Sequence, residues 1–523
     1  MDPSIFQVLS ADVLSLIIAE IARNTNGKGP LCEMRLVSKA MSTLIEPKVF
    51  STTKINFSRL HTPGQLRAIV AGDCPNNRWT TSLLIEYLVP AKSSSTSVGD
   101  DPGVRRSARR RELEGTMVVC QNELLIPAIR ALRRVSSVCL NMQMGRPNDD
   151  VLRALSQLPQ LISARVDFDW DWGHDDIPAI DQITNLRSLE LDIPSSRQIT
   201  IQKVAKTIAS SPSLESLALR GFALRPGEDE DEELVLNRGI EYPPPPWYSE
   251  SLDIVQILPS TVQRPMLKKL KIYDRNLKLS ASCFPYFNAL TELHVEEPQA
   301  AKYDIEPSFW KALSRERIEL KSLRIYPLVP AAIAYLTSYT GLETLEIDTG
   351  RFDQETEKMC LKEEQTMARR LYRDVLPRHQ ATLQDLRMDY VSVMPWALEG
   401  EFFDYVLQCR NLRKLGLPVH YIGGSGFADI GVSTFITQIL SHLLHLKHLY
   451  IGMLKDDRED WDWVPGYAEK VDESLRVNFA ENVCEADITS IPVVDSFGVT
   501  IGGTWSVALD PILRRLCRIE KAR

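Results

Sequence analysis

From residue 130 to 455 the apolar positions follow one recurring pattern, Leu-x-x-Leu-x-(Leu, Ile, Val or Met). It starts at Leu186, Leu214, Leu267, Leu290, Leu320, Leu342, Leu383, Leu412 and Leu446. Roughly two such matches would arise by chance at this leucine content. Looser copies start at Val135 and Leu161, and most intervals between copies fall between 22 and 34 residues, with two longer ones of 53 and 41. Residues two apart share one side of a strand, so Leu189 and Leu191 turn inward together while Leu186 closes the core from the preceding turn. Apolar residues at three- and four-residue spacing before Leu214, Leu412 and Leu446 predict a helix ahead of each strand. A strand this short is stable only when stacked beside its neighbours.

The period and pattern resemble leucine-rich repeats. The implied fold class is α/β, an irregular solenoid with a curved parallel sheet inside and helices outside. The turns depart from that family. The Asn or Cys that bonds neighbouring backbones two places after each strand is replaced, from Pro194 to Leu454, by unrelated residues, so irregular turns are expected. Residues 226–247, acidic and then proline-rich, read as a surface insertion, and residues 352–376 as an enlarged charged helix. Positions alternating with the buried leucines point to the concave side. Among them Arg165, Glu190, Arg220, Lys271, Tyr273, His294, Arg324, Tyr326, Arg387 and Tyr450 are the candidate contacts for a protein target, since mixed charge with Arg and Tyr suits protein recognition. Asp167, Asp192, Lys269, Glu346, Asp348, Asp389 and His448 share that side.

Residues 9–50 follow a different pattern. Ser10 or Asp12 can cap a first helix carrying Val13, Leu14, Ile17, Ile18 and Ile21. A break from Asn24 to Pro30 precedes a second helix with Leu31, Met34, Leu36 and Val37, and a third runs from Lys39 towards Ile45. This stretch resembles the F-box in the order of Leu9, Asp12, Val13, Leu14, Ile17, Ile18, Leu36, Val37, Ser38, Lys39, Leu44, Pro47 and Phe50. Ser10 stands where that family has Pro, and Met41 where Trp or Phe is common. The resemblance implies docking on a Skp-type adaptor and, through it, a cullin–RING ubiquitin ligase, with Leu9, Val13, Leu14, Ile17, Ile18, Leu36, Val37 and Phe50 as adaptor contacts. The alternative reading is a plain cap closing the open end of the solenoid, in a scaffold with no ubiquitin role.

The chain thus divides into a helical module (1–60), a connecting segment with the start of the solenoid (61–129), the repeats (130–455) and a C-terminal cap (456–523). Residues 91–111 have almost no apolar content and read as a disordered basic linker. Its Arg-rich end, 105–111, is a candidate nuclear signal. Residues 474–510 read as short strands or a hairpin, and the last residues as a short basic helix.

Composition narrows the function. The 523 residues are 44% hydrophobic and 25% charged, with a formal net charge of -8. That balance opposes generic nucleic-acid binding, which needs a basic face. No apolar run is long enough to cross a membrane, and the first ten residues lack the basic start of a secretory signal. Nine scattered cysteines without a Cys-x-x-Cys pair read as reduced thiols in the cytoplasm or nucleus. No catalytic constellation, cofactor or metal site is expected. Asp167 to Asp176 alternates carboxylates, but its glycine falls at the wrong position for a calcium loop. His442, His445 and His448 have helical spacing, but the expected strand at His448 breaks the helix. The tetraproline before Trp247 reads as a spacer.

Overall fold

The computed structural model describes residues 13–14, 16–18, 21, 29–57, 59, 61–72, 74–86, 119–142, 149–168, 179–192, 198–220, 252–258, 265–273, 277–295, 305, 307–325, 328–348, 365–389, 400–420, 438–439, 441–454, 496–501, 505–510 and 515–521. The chain forms two compact units. One comprises Met1–Tyr248 with Gln256–Pro265, the other Ser249–Val255 with Met266–Arg523.

The first unit opens with helical residues at 13–14, 16–18 and 21, then helices Gly29–Arg35 and Lys39–Val49. Ser38 caps the latter, its Oγ accepting from the Met41 N–H at 3.1 Å. Leu14, Ile18, Leu31, Met41, Ile45 and Val49 form a small core against which Ile21, Cys32, Met34, Leu44 and Phe50 pack. Leu36 and Val37 were expected on the second helix. They lie instead in the turn after it, because the chain must reverse there to bring Met41 and Ile45 onto Leu31.

Among the described residues six parallel strands follow in chain order: β1 (Thr52–Asn56), β2 (Ser82–Glu86), β3 (Ser137–Met142), β4 (Ser163–Phe168), β5 (Ser188–Asp192) and β6 (Ser216–Arg220). Their register aligns two inward rows. One is Thr53, Leu83, Val138, Ala164, Leu189 and Leu217; the other is Ile55, Ile85, Leu140, Val166, Leu191 and Leu219. All twelve are buried. Helices Thr62–Ala71, Ile126–Ala131, Asp149–Ser156 and Gln198–Ala209 link the strands. Each removes the short strands' apolar side from water, which no strand does alone.

The ladder therefore begins inside the stretch assigned above to the helical module and continues through the connecting segment. β1 escaped the pattern because its first inward position is Thr53, not Leu, and β2 because Thr80 stands three before Leu83, where the other copies lead with an apolar residue. The Thr53 hydroxyl is satisfied by Thr80 Oγ1 at 2.6 Å and the Asn76 amide at 2.7 Å.

The second unit repeats the plan. After a small pair, β7 (Leu252–Asp253) with β9 (Leu277–Lys278), its parallel strands are β8 (Lys269–Tyr273), β10 (Glu292–Val295), β11 (Ser322–Ile325), β12 (Thr344–Asp348), β13 (Asp385–Asp389), β14 (Lys414–His420), β15 (His448–Leu454) and β16 (Ser496–Ile501). Leu270, Leu293, Leu323, Leu345, Leu386, Leu415, Leu449 and Phe497 align in one row. Every copy of the leucine pattern, the two looser ones included, yields a strand that starts two residues after its first apolar position. That first residue is buried in each. The architecture is a leucine-rich-repeat α/β stack in both units.

Two expectations are altered by the structure and two lie outside it. The charged segment 352–376 is helical from 365, continuing through a π-helical turn at Leu371–Val375 to His379; 351–364 lie outside the described residues. So do the insertion at 226–247 and the linker at 91–111. The C-terminal helix is instead a strand, β18 (Arg515–Lys521), antiparallel to β17 (Trp505–Asp510). A partner strand offers those few residues a complete ladder, which outweighs a weak helical preference.

The missing Asn ladder has substitutes. The backbone N–H of Leu186 donates to Ser211 Oγ at 3.1 Å, that of Leu320 to Tyr335 Oη at 3.1 Å, and that of Leu342 to His379 Nδ1 at 3.2 Å. In each case the first leucine of one repeat is held by a side chain from the next.

Candidate functional site

The period-two alternation leaves one face of each sheet open. On the first unit, Arg165 lies in register with Glu190, and Asp167 with Asp192 and Arg220. Arg165 Nε meets Asp167 at 3.0 Å and its Nη1 meets Glu190 at 3.3 Å, while Arg220 reaches the same Glu190 at 3.5 Å. Nearer the start of the ladder, Lys54 pairs with Glu86 at 2.6 Å. Burial, with Asp167 beside it, raises the Asp192 carboxyl above the ordinary carboxylate range. Burial first, and Asp167 next, push the Cys139 thiol up to about 11.

On the second unit one row runs Lys271, His294, Arg324, Glu346, Arg387, Gly416 and Tyr450. Glu346 serves two arginines, Arg324 at 3.3 Å and Arg387 at 3.7 Å. Asp385 also serves two cations, taking Arg387 in a fork of 3.1 and 3.3 Å and Lys414 at 3.3 Å. Lys269 pairs with Glu292 at 2.7 Å. Tyr273 sits edge-on to His294 with ring centres 4.6 Å apart. Tyr450 is 42% exposed and stands between Gly416 and Gly498, its register partners on either side.

The candidate target residues therefore fall into two groups. Arg165, Glu190 and Arg220 form one network on the first unit. Lys271, Tyr273, His294, Arg324, Arg387 and Tyr450 share a face of the second. Tyr326 lies outside the described residues. Sequence reasoning overlooked Asp385, although counting back two from Arg387 reaches it. It also overlooked the glycines beside Tyr450, which become neighbours only through strand register.

The candidate adaptor residues divide by burial. Leu14 and Ile18 belong to the core of the helical module. Phe50 is half-buried beneath the Arg35 guanidinium, 5.1 Å from its ring. Val13, Ile17, Leu36 and Val37 are exposed, Leu36 by 79% and Val37 by 63%, and so, by 70%, is Leu16, which the sequence reasoning overlooked. These are five of the eleven large apolar side chains exposed among the described residues, gathered in 25 positions of the chain. Apolar side chains exposed singly need no explanation, whereas several so close in the chain make this segment a candidate contact surface. Leu9 lies outside the described residues.

Other chemistry is sparse. Among the described residues no group of three or more His, Cys, Asp or Glu is placed to hold a metal ion. No described helix is long and apolar enough to cross a membrane. The helix at His442 ends before His445, and His448 is in β15, so the three histidines do not share a helical face. A hollow of about 340 Å³ is lined by Glu343, Thr382, Gln384, Asn411, Arg413 and His445. Three of its polar groups are committed: Thr382 donates to the Leu342 carbonyl at 2.8 Å, Asn411 to that of Ala381 at 2.7 Å, and Glu343 pairs with Lys321 at 3.0 Å. The calcium-like stretch after Phe168 and the tetraproline lie outside the described residues.

No protein-family model matches the chain, and no curated protein matches it. Among solved structures, an internalin (InlF) from Listeria monocytogenes strain 4b F2365 is similar over 77% of this chain and 92% of its own, at 12% identity and a TM-score of 0.32. The TLR13–ssRNA13 complex is similar over 80% of this chain and 49% of that one, at 13% identity and a TM-score of 0.31.

Proposed function

We propose that this chain is the substrate-recognition adaptor of a Skp–cullin–F-box type ubiquitin ligase. The N-terminal helices dock the Skp-type adaptor and the open faces of the repeats hold a target protein. Chemistry of ubiquitin transfer belongs to other subunits, and this chain supplies proximity. The observation that carries the reading is the exposed apolar group Val13, Leu16, Ile17, Leu36 and Val37. It occupies a segment whose residue order resembles the F-box, and an amphipathic helix set into a partner's groove uses such a face. Leu14 and Ile18 then support the docking face from beneath. Met41, which stands where that family commonly has Trp or Phe, is buried in the module core.

A second reading has its own support. Helix Lys39–Val49 runs into β1 across two residues, Phe50 and Ser51. The module is thus continuous with the first rung, as an end cap is. Deleting residues 1–50 from the full chain separates the two. Under the adaptor reading, association with cullin–RING subunits is lost while the repeats stay folded. Under the cap reading, that deletion lowers the unfolding midpoint and no ligase association exists to lose.

A further inference from the structure

The open-face arginines are already engaged. Arg165, Arg220, Arg324 and Arg387 each meet a carboxylate of their own sheet within 3.5 Å. The turn edge of the first unit differs. The short helix Pro75–Trp79 ends in Arg78 and Trp79, and Arg133 and Arg134 form the turn leading to β3. The guanidinium carbon of Arg78 lies 4.7 Å from the Trp79 ring centre, and that of Arg134 lies 5.7 Å from the same ring. Arg134 Nη1 also donates to the Arg78 carbonyl at 3.1 Å, tying together turns 56 residues apart. Arg78, Arg133 and Arg134 are exposed. Among the described residues none of the three meets a carboxylate. Scarcity of carboxylates does not explain this, since the chain has 69 acidic and 61 basic residues.

We propose that this edge, built on Arg78, Trp79 and Arg134 with Arg133 beside them, docks an acidic segment of a partner protein. Attraction to the indole ring restrains each guanidinium, so less freedom is lost when a carboxylate arrives. A fixed guanidinium takes a carboxylate through two parallel hydrogen bonds. The fork that Arg387 makes with Asp385 shows this chemistry within the chain itself. A nucleic-acid ligand would need a broad basic face, and a net charge of -8 opposes that. The inference rests on the chain being a protein-recognition scaffold and not on the ligase role.

The test is fluorescence anisotropy on the full chain at low salt, with fluorescein-labelled hexaglutamate and hexaglutamine as probes. Wild type binds hexaglutamate about tenfold or more tightly than hexaglutamine, the preference falling with salt. Arg78→Gln/Arg134→Gln loses that preference at an unchanged unfolding midpoint, Arg78→Lys/Arg134→Lys keeps some of it, and Arg153→Gln, at an exposed arginine paired with Asp150 on another helix, keeps all of it. Equal binding of the two peptides overturns the proposal. So does an equal loss in Arg153→Gln, or tighter binding of an oligothymidylate of matched charge. Capture of a Skp-type adaptor, followed on the same variants, reports on the ligase reading separately.

Discussion

The backbone N–H of Leu342 donates to Nδ1 of His379 at 3.2 Å, and Nε2 of the same ring lies 3.0 Å from the Leu336 carbonyl. The ring must therefore be neutral, with its proton on Nε2, to serve both partners. It is buried and joins the end of helix Pro330–Leu336 to the lead-in of β12. His379→Leu leaves a buried donor and a buried acceptor unpaired. At roughly 1–3 kcal/mol for each such group, a loss of several kcal/mol is expected in urea unfolding at pH 7.5.

The same site gives a pH dependence. Burial lowers the His379 pKa in the folded chain and the Arg378 charge lowers it further, against the pull of the Leu336 carbonyl. The unfolded chain therefore binds the proton first, so stability is fully present above the ordinary histidine value of about 6.5 and falls as pH drops below it. Unfolding midpoints of wild type should fall between pH 7.5 and 5.5 by more than those of His379→Gln. Parallel slopes would remove His379 from the account.

Tyr335 holds the preceding repeat in the same way. Its hydroxyl donates to the Ile318 carbonyl at 2.7 Å and accepts from the Leu320 N–H, while the neighbouring Tyr339 hydroxyl donates to the Leu320 carbonyl at 3.0 Å. Tyr335→Phe orphans two backbone groups and Tyr339→Phe a single one. The first should cost about 2 kcal/mol or more and the second about half that, read from chemical unfolding.

Gly341 precedes Leu342 with φ at +111°, a conformation that L side chains rarely adopt. Nothing lies within 4 Å of an added Cβ there, so backbone strain alone opposes a side chain. Gly341→Ala is expected to cost about 1–3 kcal/mol in the same assay.

Thiol reactivity should follow burial. Burial pushes the Cys409 thiol up to about 12, and burial likewise raises Cys283 to about 12. Both side chains are fully enclosed. Native alkylation with iodoacetamide at pH 8, read by peptide mass spectrometry, should modify half-buried Cys32 and Cys74 well before either.

Much of this was legible in the chain itself. Each leucine copy from Val135 to Leu446 gave a strand because a period-two pattern fixes both the element and its buried side. β1, with Thr53 at an inward position, was missed because satisfied hydroxyls replace leucine there. The holders Ser211, Tyr335 and His379 were missed for a different reason. They differ in residue type and lie 25, 15 and 37 residues from the leucines they hold, so no fixed spacing reveals them. The open face was readable from alternation, yet its ion pairs were not, because Glu346 meets Arg324 and Arg387 only through strand register. In the helical module the order of apolar residues was visible, but which of them face outward depended on the reversal at Leu36 and Val37.

The central claim is that these outward residues hold an adaptor. The most direct measurement is capture of the full chain by purified Skp-type adaptor, with wild type beside Leu36→Asp/Val37→Asp. Both positions are exposed, so the variant should unfold at the wild-type midpoint, within about 0.5 kcal/mol. The account predicts that wild type is captured and the equally folded variant is not. Failure to capture wild type, or equal capture of both, would contradict it.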